Sequence, residues 1–441
     1  MGRWANKYVI GLTGNIAMGK SVVRKMLEHL GAYTIDADGL AHQTMAPGAP
    51  CYQPVIEAFG KWILDKENKI DRTKLGAVVF SHPEALSRLE QITHPVVGQG
   101  IDTLVSRAKQ PIVVVEAIKL LEGALATQVD TVWVVDSTPE LQLARLLEKR
   151  GMSLEEARKR IAGQNLQTDK LALAKVVLHN NGPLEDLWTH VQAEWAKLMQ
   201  SLKVAQASDE VQRVTVASTS TAPSAPPTTA PAAATKPSTG KLPSIPPKTG
   251  SLTPPPTLPV RPPTQPVPTP SAAAPAAGST TVDIRRGMPK NAESIAQLIN
   301  LMSGKTLGRG DIMQAFGEKS YLLAELNGKL LGLAGFQVEN LITRVDEFFI
   351  VPGGPSDVIA RALIQSVEDA SKQLQSEVGF VYLPLNATPQ LVQSFVGSGY
   401  EPMELDAIKV PAWRDAAQES QPPNTRIMAK KLRPDRVLKP L

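Results

Sequence analysis

The sharpest chemistry in the chain sits in Gly14-Asn15-Ile16-Ala17-Met18-Gly19-Lys20-Ser21. The pattern is G-x-x-x-x-G-K-[ST], a phosphate-binding loop. Its glycines let the backbone curl, so that successive N–H groups point inward at phosphate oxygens. Lys20 offers a mobile cation to the β- and γ-phosphates, and the Ser21 hydroxyl is a ligand for Mg²⁺. An apolar β-rich run, Tyr8–Thr13, precedes the loop, and a helical pattern, Ser21–Leu30, follows it. The loop therefore opens a helix, whose N-terminal dipole adds roughly half a positive charge to the cradle. ATP with Mg²⁺, held by Gly14 through Ser21, is the expected ligand.

Acidic residues supply the second element of chemistry. Ile35-Asp36-Ala37-Asp38 closes the next apolar run, Tyr33–Asp36. A carboxylate at the carboxyl edge of a parallel sheet faces the crevice that the phosphate loop faces. There it can take a proton from an attacking hydroxyl or help to hold Mg²⁺. Alternation along an extended chain would point Asp36 and Asp38 the same way. The alternative is a helix N-cap with one aspartate idle. Glu116 ends the apolar run Ile112–Val115, in the manner of a Walker-B acid beside Mg²⁺. A charged helical stretch then carries Gln142, Arg145, Lys149, Arg150, Arg158, Lys159, Arg160 and Gln164. Arginines in a mobile lid stabilise a transferring phosphoryl group, although most of this stretch is expected to be a solvated helix face.

These residues need a scaffold, and residues 1–203 supply the pattern of one. The runs Tyr8–Thr13, Tyr33–Asp36, Ile112–Glu116 and Thr131–Asp136 alternate with helical stretches such as Pro139–Arg150. Buried continuous strands between helices predict a parallel sheet with helices on both faces. Residues 204–281 differ in texture. The chain has 37 prolines in 441 residues, against the roughly 22 of average usage. About half lie between Pro223 and Pro275, among Ala, Thr and Ser. Such a segment buries too little to offset its ordering entropy and is expected to be a disordered, extended spacer. Residues 282–441 predict an α+β domain. Its strands are Val282–Arg286, Tyr321–Leu326, Leu330–Val338, Thr343–Val351 and Gly379–Pro384, and its helices Ala292–Ser303, Asp357–Gln375 and Pro389–Gly397. Asn327-Gly328 between two apolar runs signals a hairpin.

Several classes are excluded. Cys51 is the only cysteine, so no disulfide framework exists. No run of ~18 apolar residues predicts a membrane span. The apolar stretch before the phosphate loop is too short for a signal core, and a cytoplasmic protein is expected. The net charge is +5. The basic cluster Arg426, Lys430, Lys431, Arg433, Arg436 and Lys439 is expected to be a solvated tail, with no nucleic-acid partner.

Residues ~8–200 resemble the dephospho-CoA kinase family. The resemblance is carried in order by the phosphate loop, Ile35-Asp36-Ala37-Asp38, Pro47-Gly48, His94-Pro95, Glu116 with Leu120-Leu121-Glu122, Gln142 with Arg145 and Arg150, Glu155-Glu156, Gln164, and Asn180-Asn181-Gly182. It implies a nucleoside-kinase-like fold and ATP-dependent phosphorylation of the ribose 3′-hydroxyl of dephospho-CoA, the last step of coenzyme A synthesis. It implies Asp38 as the general base with Asp36 assisting, and Lys20 and Arg145 neutralising the phosphoryl group. Mg²⁺ would sit on Ser21 and a nearby carboxylate, with Asp38 the candidate. Asn181 and Gly182 would lie near the adenine, and His94, Glu116 and Lys119 on the substrate side. A helical subdomain (40–108) would close over the acceptor, and residues 139–175 would form a lid. The sequence departs from the family at Ile118-Lys119, where Pro-Leu is usual, at His42, where Arg is common, and at His179, where Asp is common.

The second domain resembles GNAT-type N-acetyltransferases in element order and in Phe395-x-x-x-Gly399-Tyr400. The resemblance implies CoA or acetyl-CoA as a ligand. The stretch Val351-Pro352-Gly353-Gly354-Pro355-Ser356-Asp357-Val358 stands where active members carry a pyrophosphate-gripping loop. Asp357 would repel phosphate there and Pro355 lacks a donor, so a degenerate domain is expected, with Tyr400 a core residue. The alternatives are a bifunctional kinase–acetyltransferase and a regulatory NTPase with a CoA-sensing domain. The kinase domain is expected to work when cut off near residue 205.

Overall fold

The computed structural model describes residues 3–218 and 282–436. The proline-rich stretch 219–281 and Lys439 lie outside the described residues. The first region runs β1 (Tyr8–Thr13), α1 (Lys20–His29), β2 (Tyr33–Asp36), α2 (Ala37–Thr44), α3 (Tyr52–Phe59), α4 (Arg72–Val79), α5 (Pro83–Arg107), β3 (Ile112–Glu116) and β4 (Thr131–Asp136). It continues through α6 (Pro139–Arg150), α7 (Leu154–Ala162), α8 (Gln167–Ala172), β5 (Val176–His179) and α9 (Leu184–Ser218). The last helix thus carries on past residue 203.

Local chemistry explains the elements. Ile112-Val113-Val114-Val115 is β-branched throughout and buried throughout, as a central strand covered on both faces must be. α6 starts with Thr138 capping the Leu141 N–H and Pro139 in the first turn, and it stops at Gly151 with φ 60°. These are the start and stop signals a helix requires. All pairings in the five-stranded sheet are parallel, in the order β2-β3-β1-β4-β5. The connection after β1 runs to β2 on one side and the connection after β3 runs past β1 to β4 on the other, so a crevice opens at the carboxyl end of β1.

The second region runs β6 (Asp283–Arg286), α10 (Ala292–Ser303), α11 (Arg309–Ala315), β7 (Ser320–Leu326), β8 (Lys329–Glu339), β9 (Ile342–Ile350), α12 (Ser356–Gln373) and β10 (Val378–Pro384). It ends with α13 (Pro389–Gly397), β11 (Glu401–Met403), α14 (Pro411–Ser420) and β12 (Thr425–Lys431). Its seven strands lie in the order β11-β12-β10-β9-β8-β7-β6, antiparallel except for the β9–β10 pair. The domain is α+β, as its sequence predicts, and Asn327-Gly328 makes the expected turn with φ of 53° and 76°.

Two expectations need correction. The basic cluster is not a solvated tail, because Arg426, Lys430 and Lys431 belong to β12, inside the sheet. Lys430 donates to Glu368 at 2.6 Å and to the Ser398 carbonyl at 2.7 Å, and Arg436 pairs with Glu377 at 3.4 Å. An alternating apolar pattern hidden among the charges (Ile427, Ala429) buries one face of the strand. The two domains are also not separate bodies, since residues 1–201 and 280–441 form one compact unit. A single apolar cluster joins Tyr33, Leu104 and Val113 of the first domain to Leu341, Phe336 and Leu374 of the second. His29, at the end of α1, packs edge-on against Trp188 and Phe316. Arg286 donates to the Glu28 carbonyl at 3.1 Å. Among the described residues no helix is long and apolar enough to cross a membrane.

Candidate active site

The phosphate loop joins β1 to α1 and its glycines are sterically obligatory. Gly14 has φ 146°, and a Cβ there would lie 2.4 Å from the Val135 carbonyl oxygen. Gly19 has φ 101°, and a Cβ would lie 2.1 Å from the Asn180 side-chain nitrogen. The loop's carbonyls are held from outside. Gln142 donates to the Ile16 oxygen at 2.9 Å, Arg145 to the Ala17 oxygen at 3.3 Å, and Asn180 to the Met18 oxygen at 3.0 Å. With the carbonyls engaged there, the amides are left to face the cradle. Two amides have partners from the lid: the Asn15 N–H donates to Gln167 at 3.0 Å and the Ile16 N–H to Gln164 at 2.8 Å. The Asn15 side-chain oxygen is buried with no partner.

Lys20 is buried, with its Nζ donating to the Asn15 carbonyl at 3.2 Å. Burial pulls its pKa below the ordinary lysine value, against the attraction of Glu116 and Asp38. Ser21 donates to Glu116 Oε1 at 3.2 Å, and Arg24, one turn further along α1, donates to Oε2 at 2.7 Å. Both carboxylate oxygens of buried Glu116 are thereby engaged from α1.

The aspartates do not alternate along an extended chain, because the strand stops at Asp36 and a helix starts. Asp36 is the N-cap of α2, accepting from the Gly39 N–H at 2.9 Å. Asp38 lies in the first turn of that helix, and its Oδ2 accepts from the Ile118 N–H at 3.1 Å. It is therefore not idle. Burial pushes its pKa up to about 6, against the Ile118 hydrogen bond, with Asp36 adding to the rise.

The remaining predicted residues divide. Arg145 reaches the loop and also binds Ser137 at 3.1 Å and the Asn180 carbonyl at 2.7 Å. Burial lowers its pKa. Asn181 and Gly182 are exposed, and the Asn181 side-chain oxygen accepts from the Thr138 N–H at 3.0 Å. It is Asn180, one residue earlier, that touches the loop. His94 is exposed on α5, beside Pro95 within the helix. Lys119 pairs with Glu90 of α5 at 2.7 Å, so it links the loop after β3 to the helical subdomain.

Two residues that sequence reasoning missed, Arg24 and Lys170, and one it named without a role, Asn180, converge here. Arg24 holds Glu116, Asn180 holds the phosphate loop, and buried Lys170 of α8 donates to the Ile118 carbonyl at 2.8 Å. Spacing could have flagged Arg24, which lies one helical turn after Ser21. Nothing local distinguishes Lys170 from the other lysines of the chain.

The donors fit Mg²⁺ in kind. Ser21 and Glu116 offer hard oxygens 3.2 Å apart, and Asp36 lies beside Glu116 in the β2–β3 register. Among the described residues no cluster of three or more His, Cys, Asp or Glu forms a metal cage.

The dephospho-CoA kinase family profile matches residues 8–186. A dephospho-CoA kinase of Streptomyces avermitilis is 44% identical over 191 residues, which cover 43% of this chain and 93% of that protein. The chain belongs to the dephospho-CoA kinase family. Among solved structures, the dephospho-CoA kinase from Campylobacter jejuni matches at 29% identity and a TM-score of 0.34, covering 45% of this chain and 99% of its own. An acetyltransferase of the GNAT family from Streptococcus pneumoniae matches at 14% identity and a TM-score of 0.26, covering 34% of this chain and 99% of its own. The kinase-family match ends at residue 186, so the second domain is an addition to the kinase.

Proposed function

We propose that the chain transfers the γ-phosphoryl group of ATP to the ribose 3′-hydroxyl of dephospho-CoA, giving CoA and ADP. One observation carries the reading. A half-buried carboxylate, Asp38, is pinned by the Ile118 N–H at the mouth of a complete phosphate loop, with Lys20 and Glu116 close enough to act on its charge. Family membership supports the same reaction.

In this reading Asp38 accepts the proton of the 3′-hydroxyl as the oxygen bonds to the γ-phosphorus. The bond to the bridging oxygen of ADP breaks in line, and ADP leaves. A pKa near 6 leaves Asp38 ionised at neutral pH yet basic enough to take the proton. Lys20 and Arg145 neutralise the transferring group. Phosphate oxygens, carrying full charge, take over the Asn15 and Ile16 amides from the neutral glutamines Gln164 and Gln167, which frees those two side chains of the lid (139–175) while Arg145 stays on the loop. Mg²⁺, held through Ser21 and Glu116 with Asp38 or Asp36 nearby, would supply charge neutralisation at the β- and γ-oxygens. The helical subdomain (40–108), with His94 and Lys119, faces the acceptor. The cytoplasmic setting expected from the sequence belongs to the same proposal.

The second domain we read as a CoA-binding or structural partner without acetyl transfer. Asp357 occupies the first turn of α12, bonded to Arg361 at 2.9 Å and to the Ser394 hydroxyl at 3.1 Å, and Pro355 is the N-cap. Tyr400 is buried edge-on to Phe395, and burial, followed by the charge of Glu368, raises its pKa well above the ordinary tyrosine value. A coupled ADP assay tests the reading. ADP should form only when dephospho-CoA is present; phosphate release without it would point to a regulatory NTPase.

A further inference from the structure

A hairpin of the second domain reaches the kinase site. β8 ends at Glu339 and β9 begins at Ile342, and these two residues pair across the strands. The two residues between them both have positive φ, 50° at Asn340 and 65° at Leu341. The same domain's other two-residue hairpin satisfies that geometry with Asn327-Gly328. A leucine in the left-handed region is a rare choice and persists only where its surroundings hold it. Here Leu341 is buried in the apolar cluster shared with the kinase domain, and it lines a pocket together with Tyr33, Leu40 and Leu104.

The tip held in this way lies against the catalytic elements. Glu339 Oε1 is 3.8 Å from Nη2 of Arg24, whose Nε binds Glu116 at 2.7 Å. Glu339 is also paired with Arg344 of β9. The Asn340 carbonyl accepts from Gln43 of α2. The Asn340 side-chain oxygen approaches α2 so closely that a Cβ on Gly39 would lie 2.4 Å from it. Gly39 follows Asp38 and donates to Asp36. Beside the tip lies a cavity of about 240 Å³ lined by Ser21, Arg24, Lys25, Gln337 and Glu339, which gives Arg24 room to move if Glu339 lets go.

We propose that the hairpin tip completes the kinase site: Glu339 positions Arg24, and through it the Glu116–Ser21 pair, while Asn340 braces the turn of α2 that carries Asp38. The inference rests on the phosphotransfer reading for its kinetic consequence. Neither residue touches a reacting atom; both are positioning residues. Arg24 feels the tip directly, because burial works against its charge while Glu116, Asp36 and then Glu339 favour it. Glu339 is 43% exposed, and ion pairs so exposed add little to stability. Its loss should therefore change positioning and leave folding alone.

The test compares full-length wild type with Glu339→Gln, Glu339→Asp and Asn340→Ala. Two readouts are taken: the Mg²⁺ concentration for half-maximal kinase rate, and the factor by which Mg²⁺ tightens ADP binding by calorimetry. Loss of the pair that steadies Arg24 on Glu116 should shift both by roughly two- to fivefold in Glu339→Gln. The melting temperature should be unchanged and Glu339→Asp should recover most of the effect. Asn340→Ala should lower kcat with both Mg²⁺ readouts unchanged. Wild-type Mg²⁺ behaviour in Glu339→Gln, or a shift that comes with lowered melting temperature and no rescue by aspartate, overturns the role of Glu339. An unchanged kcat in Asn340→Ala overturns the brace. Should the wild type fail to phosphorylate dephospho-CoA, the functional reading falls, and the ADP-binding readout, which needs no acceptor, still decides the role of Glu339.

Discussion

Two strand-to-helix turns in this chain look alike in composition and behave differently. Residues 14–21 lead from β1 into α1, and residues 351–358 lead from β9 into α12; each carries two glycines. In the first, Gly14 and Gly19 take positive φ where no Cβ fits, outside groups hold the carbonyls, and buried Lys20 supplies charge. In the second, Gly353 has φ 90° with nothing within 4 Å of a Cβ, and the first turn of α12 carries the acidic Asp357, paired with Arg361. Glycine opens the backbone in both places. A cradle also needs amides turned inward and a cation inside, and only the first turn has them.

The largest expected effect is at Asp38. Asp38→Asn should lower kcat by roughly 10²–10⁴-fold while ATP affinity by calorimetry stays near wild type; a variant with normal turnover would remove the base from this site. Gly19→Ala comes next. The new methyl meets Asn180 at 2.1 Å with φ at 101°, so ATP affinity should fall by about tenfold or more, since strain of this kind costs ~1–3 kcal/mol. Gly353→Ala, in the second turn, should leave ATP affinity alone. Third is pH. Asp38 must be ionised to act, and its pKa is near 6. The log of kcat/KM should therefore fall with unit slope below that pH, about tenfold per unit; a limb near 4 would show that the site is not desolvated. The smallest effect belongs to Asp357→Asn, which should change the kinase rate by less than about twofold and stability by no more than ~0.5 kcal/mol, as for a surface change. A large loss of kinase activity there would break the contrast between the two turns.

Much of the first site is legible in the sequence because it is local. A phosphate loop is one continuous stretch, and Gly14, Gly19, Lys20 and Ser21 carry their chemistry in spacing alone. Strands such as Ile112–Glu116 declare themselves because a central parallel strand is apolar on both faces. The aspartates show the limit. Their position at a sheet edge was readable, but the switch from strand to helix between Asp36 and Asp38 gave them separate tasks, one a cap and one a half-buried acid bonded to the Ile118 N–H. The strand β12 was missed because three charges flank the three apolar residues it buries.

The sequence by itself determined that a nucleotide kinase precedes a proline-rich stretch and an α+β domain, because loop motifs and hydrophobic periodicity are short-range properties. Tertiary structure alone decided which distant groups share a site. Lys170 meets Ile118, Asn180 meets Met18, and Glu339 faces Arg24 across more than three hundred residues of chain. Such contacts leave no local signature, because they arise from burial of a shared apolar surface. That surface, with Leu341 held in an unfavourable turn against the kinase, is what joins two domains that the sequence presents as separate.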